Sequence, residues 1–303
     1  MKSVSIIIPA YNAEKFLGGA IRSCLGQTLP PAEIFVIDDG STDGTSAVCE
    51  AFGRAVCYQR VENGGVSRAR NIGARQASGA ALVFLDADDR LLPHALEYLA
   101  KSLHDSDAGM AYGMVIERGE PPAHARLNGF AFAAGKPPLP AQRNFWRSAV
   151  ITPGSAMVRR DLHEKVGGFV TGYEPLEDRD YWIKCGLLAP AAFCDTVVLD
   201  KTWQPSSHGS QHAKRIYRGQ RAQRDLRIWC RERGLDDSWM PQDDEILRRA
   251  LDETLWRREF SILKLLRRQA SALGVRHAKS ALAALLFRRP VPDWATIEPQ
   301  IHD

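Results

Sequence analysis

Much that would mark a familiar chemistry is missing here. The six cysteines, at positions 24, 49, 57, 185, 194 and 230, form no C-x-x-C pair. Neither a disulfide framework nor a cysteine-rich zinc site is expected, and a reducing cytosol is the default compartment. No apolar run approaches the roughly 20 residues that a membrane-spanning helix needs; the best, Ala278 to Phe287, falls well short. Met1-Lys2-Ser3-Val4 leads straight into a strand-like stretch, so a secretory leader is not expected. No Walker loop and no G-x-G-x-x-G follows a strand-like run, which argues against P-loop and dinucleotide enzymes. His208 and His212 stand four apart as helical zinc ligands do, but no HExxH glutamate or third ligand accompanies them.

What is present is a chain of 303 residues, 45% hydrophobic and 25% charged. That is the profile of a globular protein with one large domain or two small ones. Its net charge of +4 is unevenly spread. Residues 1–209 carry 21 Lys+Arg against 23 Asp+Glu, or −2, and residues 210–303 carry 19 against 13, or +6. A basic tail of this kind could face nucleic acid, an anionic membrane or an acidic partner, or form a solvated helical face. Nucleic acid is not among the partners expected.

The first hundred residues alternate between two periodicities. Val4–Pro9, Ile34–Asp38 and Ala81–Asp86 read as buried strands, with a shorter one at Val56–Arg60. Between them Phe16, Leu17, Ala20, Ile21, Cys24 and Leu25 fall at helical spacing, with Asn12 placed to cap the helix. Asp43 and Ser67 are expected to cap the next two helices, and Pro93 suits the first turn of a fourth that runs to about His104. Strands alternating with helices predict right-handed crossovers and an α/β fold with a parallel sheet. Ligands bind beyond the carboxyl ends of such strands. There stand Pro9-Ala10-Tyr11-Asn12, Asp38-Asp39-Gly40-Ser41-Thr42-Asp43-Gly44 and Asp86-Ala87-Asp88-Asp89. Carboxylates gathered in this way repel one another and call for a cation or strong donors.

Further on, residues 118–143 are rich in Pro, Gly and Ala and read as a long binding loop or lid, or as disorder. Regular structure resumes near Ala149–Val158 and Asp161–Val166, Gly167-Gly168-Phe169 ends a helix, and Glu177–Leu188 reads as another. After about His208 the chain is Arg-rich and helical, with Arg218, Arg221, Arg224, Arg227 and Arg231 along one side and Leu226, Trp229 and Cys230 on a common face.

Asp86-x-Asp88 after a buried strand suits Mg²⁺ or Mn²⁺, which take one or two protein carboxylates and leave other positions to water and phosphates. Haloacid-dehalogenase phosphatases also place a D-x-D after a strand, but the threonine that follows it there is replaced here by Asp89-Arg90. Nucleotidyltransferases need a Gly-rich basic loop where this chain has Pro9-Ala10-Tyr11-Asn12. Taken singly, each residue also has a plain structural role: Tyr11 as a packing aromatic, Glu177 and Asp178 as first-turn helix acids, Arg70 as a solvated charge.

Five motifs in order resemble family 2 glycosyltransferases: Ser5–Asn12, Val36–Thr45, Asn63–Asn71, Phe84–Asp89, and Val166–Phe169 with Glu177–Trp182. The resemblance spans roughly residues 3–210 and implies a GT-A fold. This is a Rossmann-like, mostly parallel sheet flanked by helices, with a nucleotide-sugar half over 1–105, an acceptor half over 106–209 and a helical extension over 210–303. It implies an inverting transfer from a nucleotide sugar, UDP-linked by preference, to a glycan or lipid-linked hydroxyl in cell-envelope polysaccharide synthesis. By that resemblance Pro9, Ala10 and Tyr11 hold the nucleotide and Asp39 its base edge. Arg70 and Asp86 lie beside it, and Asp88 with His208 holds Mg²⁺ or Mn²⁺. Asp178 is the catalytic base, with Glu177 and Trp182 on the acceptor side. The location implied is cytoplasmic, peripheral at the inner membrane face, with the C-terminal region contacting a second subunit or the membrane. A non-catalytic nucleotide-sugar or carbohydrate-binding module on the same fold is the alternative, and a dehalogenase-type phosphatase the more distant one.

Overall fold

The computed structural model describes residues 3–118, 151–174, 176–202 and 212–238, with 240, 242, 245, 247, 248 and 251 beyond them. The chain divides into two compact units, Met1–Ser210 and Gln211–Asp303.

In the first unit, strands and helices alternate as the periodicity predicts. They are β1 (Val4–Ala10), α1 (Leu17–Leu25), β2 (Glu33–Asp38), α2 (Thr45–Glu50), β3 (Cys57–Arg60), α3 (Val66–Gln76), β4 (Ala81–Phe84), β5 (Arg90–Leu91) and α4 (Ala95–Asp105). Then follow β6 (Met110–Arg118), β7 (Ala156–Arg159), α5 (Arg160–Val166), α6 (Glu177–Leu188) and β8 (Ala191–Thr202). The described strands form one sheet in the order β3-β2-β1-β4-β7-β6-β8-β5. β3, β2, β1 and β4 are mutually parallel, as are β6 and β8, while β7 runs antiparallel to both its neighbours and β5 to β8.

β1 is buried along its whole length, which explains its unbroken Val-Ser-Ile-Ile-Ile run. Ile6, Ile8, Val36 and Val83 face a core completed by Leu17, Ile21 and Cys24 of α1 and by Leu96, Leu99 and Leu103 of α4. On α3, a Cβ at Gly73 would lie 2.5 Å from Ile7 Cγ2, so the helix packs close against β1 only because that side chain is absent. The strand order reverses between β1 and β4, and a sheet of this kind opens its ligand crevice at such a switch.

The capping expectations fare unevenly. Asn12 does not cap α1, which starts at Leu17 without a side-chain cap; Asn12 takes φ 48° and turns to the loop after β2. Asp43 stands one place before the N-cap of α2, Gly44, and its Oδ1 accepts the Thr45 N–H in a turn that leads into the helix. Ser67 lies inside α3, and the residue that starts that helix is Gly65, at φ 87°. Pro93 precedes α4 by two positions.

The second unit contains α7 (His212–Glu232). Ala222, Leu226 and Cys230 are buried at helical spacing while Arg221, Arg224 and Arg231 are exposed. The helix stops at Gly234, whose φ of 63° lets Leu235 N–H return to the Cys230 carbonyl. The 119–143 part of the loop, His208, and the apolar 278–287 stretch lie outside the described residues.

Candidate active site

Three turns meet beyond β1, β2 and β4. After β1, Pro9 and Ala10 stay buried while Tyr11 is 54% exposed. Asn12 Oδ1 accepts the Thr42 N–H at 2.8 Å, tying this turn to the next. After β2, the buried Asp38 accepts Ser41 N–H at 2.8 Å and the Tyr58 hydroxyl at 2.7 Å. Asp39 is the joint of the site. Its N–H donates to the Ala10 carbonyl at 2.8 Å, and its two carboxylate oxygens accept Gly64 N–H at 2.9 Å and Gly65 N–H at 2.8 Å. It thus links the ends of β1 and β2 to the N-terminus of α3, one residue along from the exposed Tyr11.

After β4, Asp89 N–H closes a turn on the Asp86 carbonyl at 3.1 Å. Asp86 and Asp88 are half-buried on this turn, whereas Asp89 is buried and accepts the Thr202 N–H of β8 at 3.0 Å. Burial, with Asp86 and Asp88 adding repulsion against the pull of Lys201, pushes the Asp89 carboxyl up to about 8. Its Oδ2 is buried with no hydrogen-bond partner.

Glu177 and Asp178 open α6. Arg70, from α3 and only 2% exposed, reaches both clusters: Nη2 meets Asp86 Oδ1 at 2.7 Å and Nη1 meets Glu177 Oε1 at 3.0 Å. Burial works against its charge, but Asp86 and Glu177 outweigh this and hold the guanidinium above its ordinary range. Burial, with the neighbouring Asp178, pushes Glu177 up to about 7 against the pull of Arg70. Asp178 is the more accessible of the two acids, and its Oδ1 accepts the Arg179 N–H at 2.7 Å. Desolvation raises its carboxyl above the usual range, opposed by Arg70, Arg179 and Lys201. The helix N-terminus, expected to favour its ionised form, therefore acts against burial.

Of the predicted residues, the fold brings Tyr11, Asp39, Arg70, Asp86, Asp88, Glu177 and Asp178 to one edge of the sheet or the helices beside it. Trp182 is buried on α6, edge-on to Tyr181. His208 lies outside the described residues. Asp89, Asn71, Lys201 and Phe169 also stand at the site; Asp89, Asn71 and Phe169 lie inside the five motifs, and Lys201 lies outside them.

A divalent ion fits this donor set. Among the described residues no group of three or more ligands is gathered to cage a metal. Asp88 stands half-buried on a turn whose neighbour Asp89 has an oxygen without a hydrogen-bond partner, and carboxylates outnumber the nearby cations. One or two carboxylates with the rest left to phosphate and water is how Mg²⁺ and Mn²⁺ bind.

The chain resembles known proteins in sequence and in fold. The family model described as glycosyl transferase family 2 matches residues 5–167. Glycosyltransferase GlyA of Streptococcus pneumoniae is 35% identical over 113 residues, covering 36% of this chain and 16% of the relative. An uncharacterized glycosyltransferase of Rickettsia conorii is 29% identical over 226 residues, covering 70% of this chain and 35% of the relative. The chain therefore spans well under half of the length of either. Among solved structures, S. aureus TarS 1-349 in complex with UDP has a TM-score of 0.65 at 21% identity, covering 86% of this chain and 75% of that one. The same protein in complex with UDP-GlcNAc has a TM-score of 0.65 at 20% identity, with the same coverage. These structures establish the likeness of fold, the GT-A arrangement of a mostly parallel sheet flanked by helices.

Proposed function

The chain belongs to glycosyl transferase family 2, and from that membership we propose that it is an inverting glycosyltransferase. In this reading it moves a sugar from a nucleoside-diphosphate sugar, UDP-linked, to a hydroxyl of a glycan or lipid-linked acceptor in cell-envelope polysaccharide synthesis. One observation carries the reading: the acid turn after β4 and the acid pair opening α6 share a single buried cation, Arg70. The UDP and UDP-GlcNAc complexes of the TarS structures support a UDP-linked donor.

Tyr11 is exposed where a base can stack on it, and Asp39, with Pro9 and Ala10, shapes the wall beside it. Asp86 would lie next to the ribose or the metal, and Asp88, with His208 as a second candidate, would hold Mg²⁺ or Mn²⁺. When bound, such an ion neutralises charge that builds on the leaving diphosphate. Asp178 takes the proton of the acceptor hydroxyl as its oxygen bonds to the anomeric carbon. The bond from that carbon to the phosphate oxygen breaks, and its electron pair leaves with the nucleoside diphosphate. A single in-line displacement with one base inverts the centre and needs no carboxylate nucleophile.

The proposed location is the cytoplasm at the inner membrane face. Among the described residues, no helix is long and apolar enough to cross a membrane. The basic C-terminal region is where contact with a second subunit or with anionic lipid is proposed, and salt-sensitive flotation with anionic liposomes separates the two. The test of the function is nucleoside-diphosphate release from a panel of nucleotide sugars with Mn²⁺, set against phosphate release from phosphomonoesters. Release from a UDP-sugar supports transfer. Phosphate release alone would point to a phosphatase, and tight binding without turnover to a binding module.

A further inference from the structure

Asn71 follows Arg70 on α3 and makes two hydrogen bonds to one residue far away in sequence. Its Nδ2 donates to the Phe169 carbonyl at 2.8 Å, and its Oδ1 accepts the Phe169 N–H at 2.9 Å. A side-chain amide bound to both backbone groups of one residue fixes its position and its orientation. Gly168 makes the approach possible. It lies at φ 81°, and a Cβ there would stand 2.5 Å from Asn71 Oδ1.

The residue held this way is central to the acid site. The Phe169 ring is buried, and the Arg70 guanidinium carbon lies 5.1 Å from its centroid. The same ring stacks on Tyr181 at 4.0 Å and 21°, and meets Phe84 edge-on at 4.8 Å. Phe84 is the last residue of β4, two positions before Asp86. Tyr181 is one helical turn beyond Glu177 on α6, and its hydroxyl is paired with His163 Nδ1 at 2.8 Å. One ring thus touches the strand that carries the acid turn, the cation between the two acid groups, and the helix that carries the acid pair.

We propose that Asn71 is a positioning residue for the transfer reaction: by gripping the Phe169 backbone it sets where the Glu177–Asp178 end of α6 stands relative to Arg70 and the acid turn. The proposal rests on the glycosyltransferase reading for its consequence in turnover, though not for its geometry. Misplacing a reacting group by about 1 Å costs about 10²-fold in rate. Asn71 and Phe169 lie beneath the site and touch no donor group in this scheme, so the loss falls on kcat rather than on donor binding.

The test compares Asn71→Ala and Phe169→Leu, the second keeping an apolar filler should the first fold poorly. The concentration of competent sites is titrated with UDP and Mn²⁺, and turnover is then expressed per UDP-binding site. The expected result is a fall in kcat of about 10²-fold with donor KM within about threefold of the parent, and a double variant no worse than the worse single one. Unchanged turnover per UDP-binding site in both variants would mean that the pair only supports the fold. A crystal structure of Asn71→Ala gives an arm independent of activity. The Arg70–Glu177 pair is expected to open beyond hydrogen-bonding distance. Its retention with Phe169 still beneath Arg70 overturns the inference, whether or not the parent protein transfers sugar.

Discussion

Arg70 and Glu177 lie 107 positions apart in sequence and meet at 3.0 Å in the interior, Nη1 to Oε1. The same guanidinium holds Asp86 with its other terminal nitrogen, so one buried cation balances two acid groups from separate elements. Charge placed like this weakens a fold sharply when one member is taken away, because the others keep their cost of burial.

Arg70→Met should therefore destabilise the protein by about 3–5 kcal/mol, the usual loss on breaking a buried pair. Urea unfolding of the variant against the parent checks it. Arg70→Lys should recover only part of the loss, since an ammonium lacks the planar fork that serves two carboxylates at once. Equal stability of Met and Lys variants with the parent would show the bridge to be unimportant.

The base assignment separates two adjacent residues. Asp178→Asn should lower turnover by about 10²–10⁴-fold with donor binding nearly unchanged, as expected when a general base is lost. Glu177→Gln keeps the shape but weakens the bond to Arg70, so its defect should include stability. Steady-state kinetics with calorimetric UDP binding distinguishes them. Normal turnover in the Asp178→Asn variant, beside none in Glu177→Gln, would move the base by one residue.

His163 gives a pH signature. Burial holds its imidazole down to about 4 in the folded state, below its ordinary 6.5, while its Nδ1 pairs with the Tyr181 hydroxyl. The unfolded chain binds that proton first. The stability tied to the neutral ring is thus complete above about 6.5 and lost as pH falls from there toward 4. Melting temperature should drop through this window, and His163→Phe should flatten the drop while losing the hydroxyl bond. An equally steep decline in the variant would assign it to other groups.

β1, β2, β4 and α1 were legible because each buries an apolar run or stripe at one period, whereas β3 buries none of its four residues. β6 and β8 were not. β6 carries Gly113 and a shift of register beside it, and β8 mixes Asp195, Thr196, Asp200 and Lys201 among its apolar residues, so neither shows a clean alternation. At the site, acids that directly follow strands could be placed at one edge from topology alone. Partnerships could not. Nothing local to Arg70 announces Glu177, and nothing local to Asn71 announces the Phe169 backbone. Asn12 misled because an asparagine suited to a cap is equally suited to a left-handed turn, which is the place it occupies.

The reaction proposed for this protein is metal-assisted sugar transfer through the acid turn. It is tested most directly by UDP release from UDP-GlcNAc and other UDP-sugars with Mn²⁺, comparing the parent with Asp88→Ala. Release should require the metal, stop in EDTA, and disappear in Asp88→Ala while the variant still melts cooperatively. Full release in EDTA, or an Asp88→Ala variant as active as the parent, would contradict the role given to that turn.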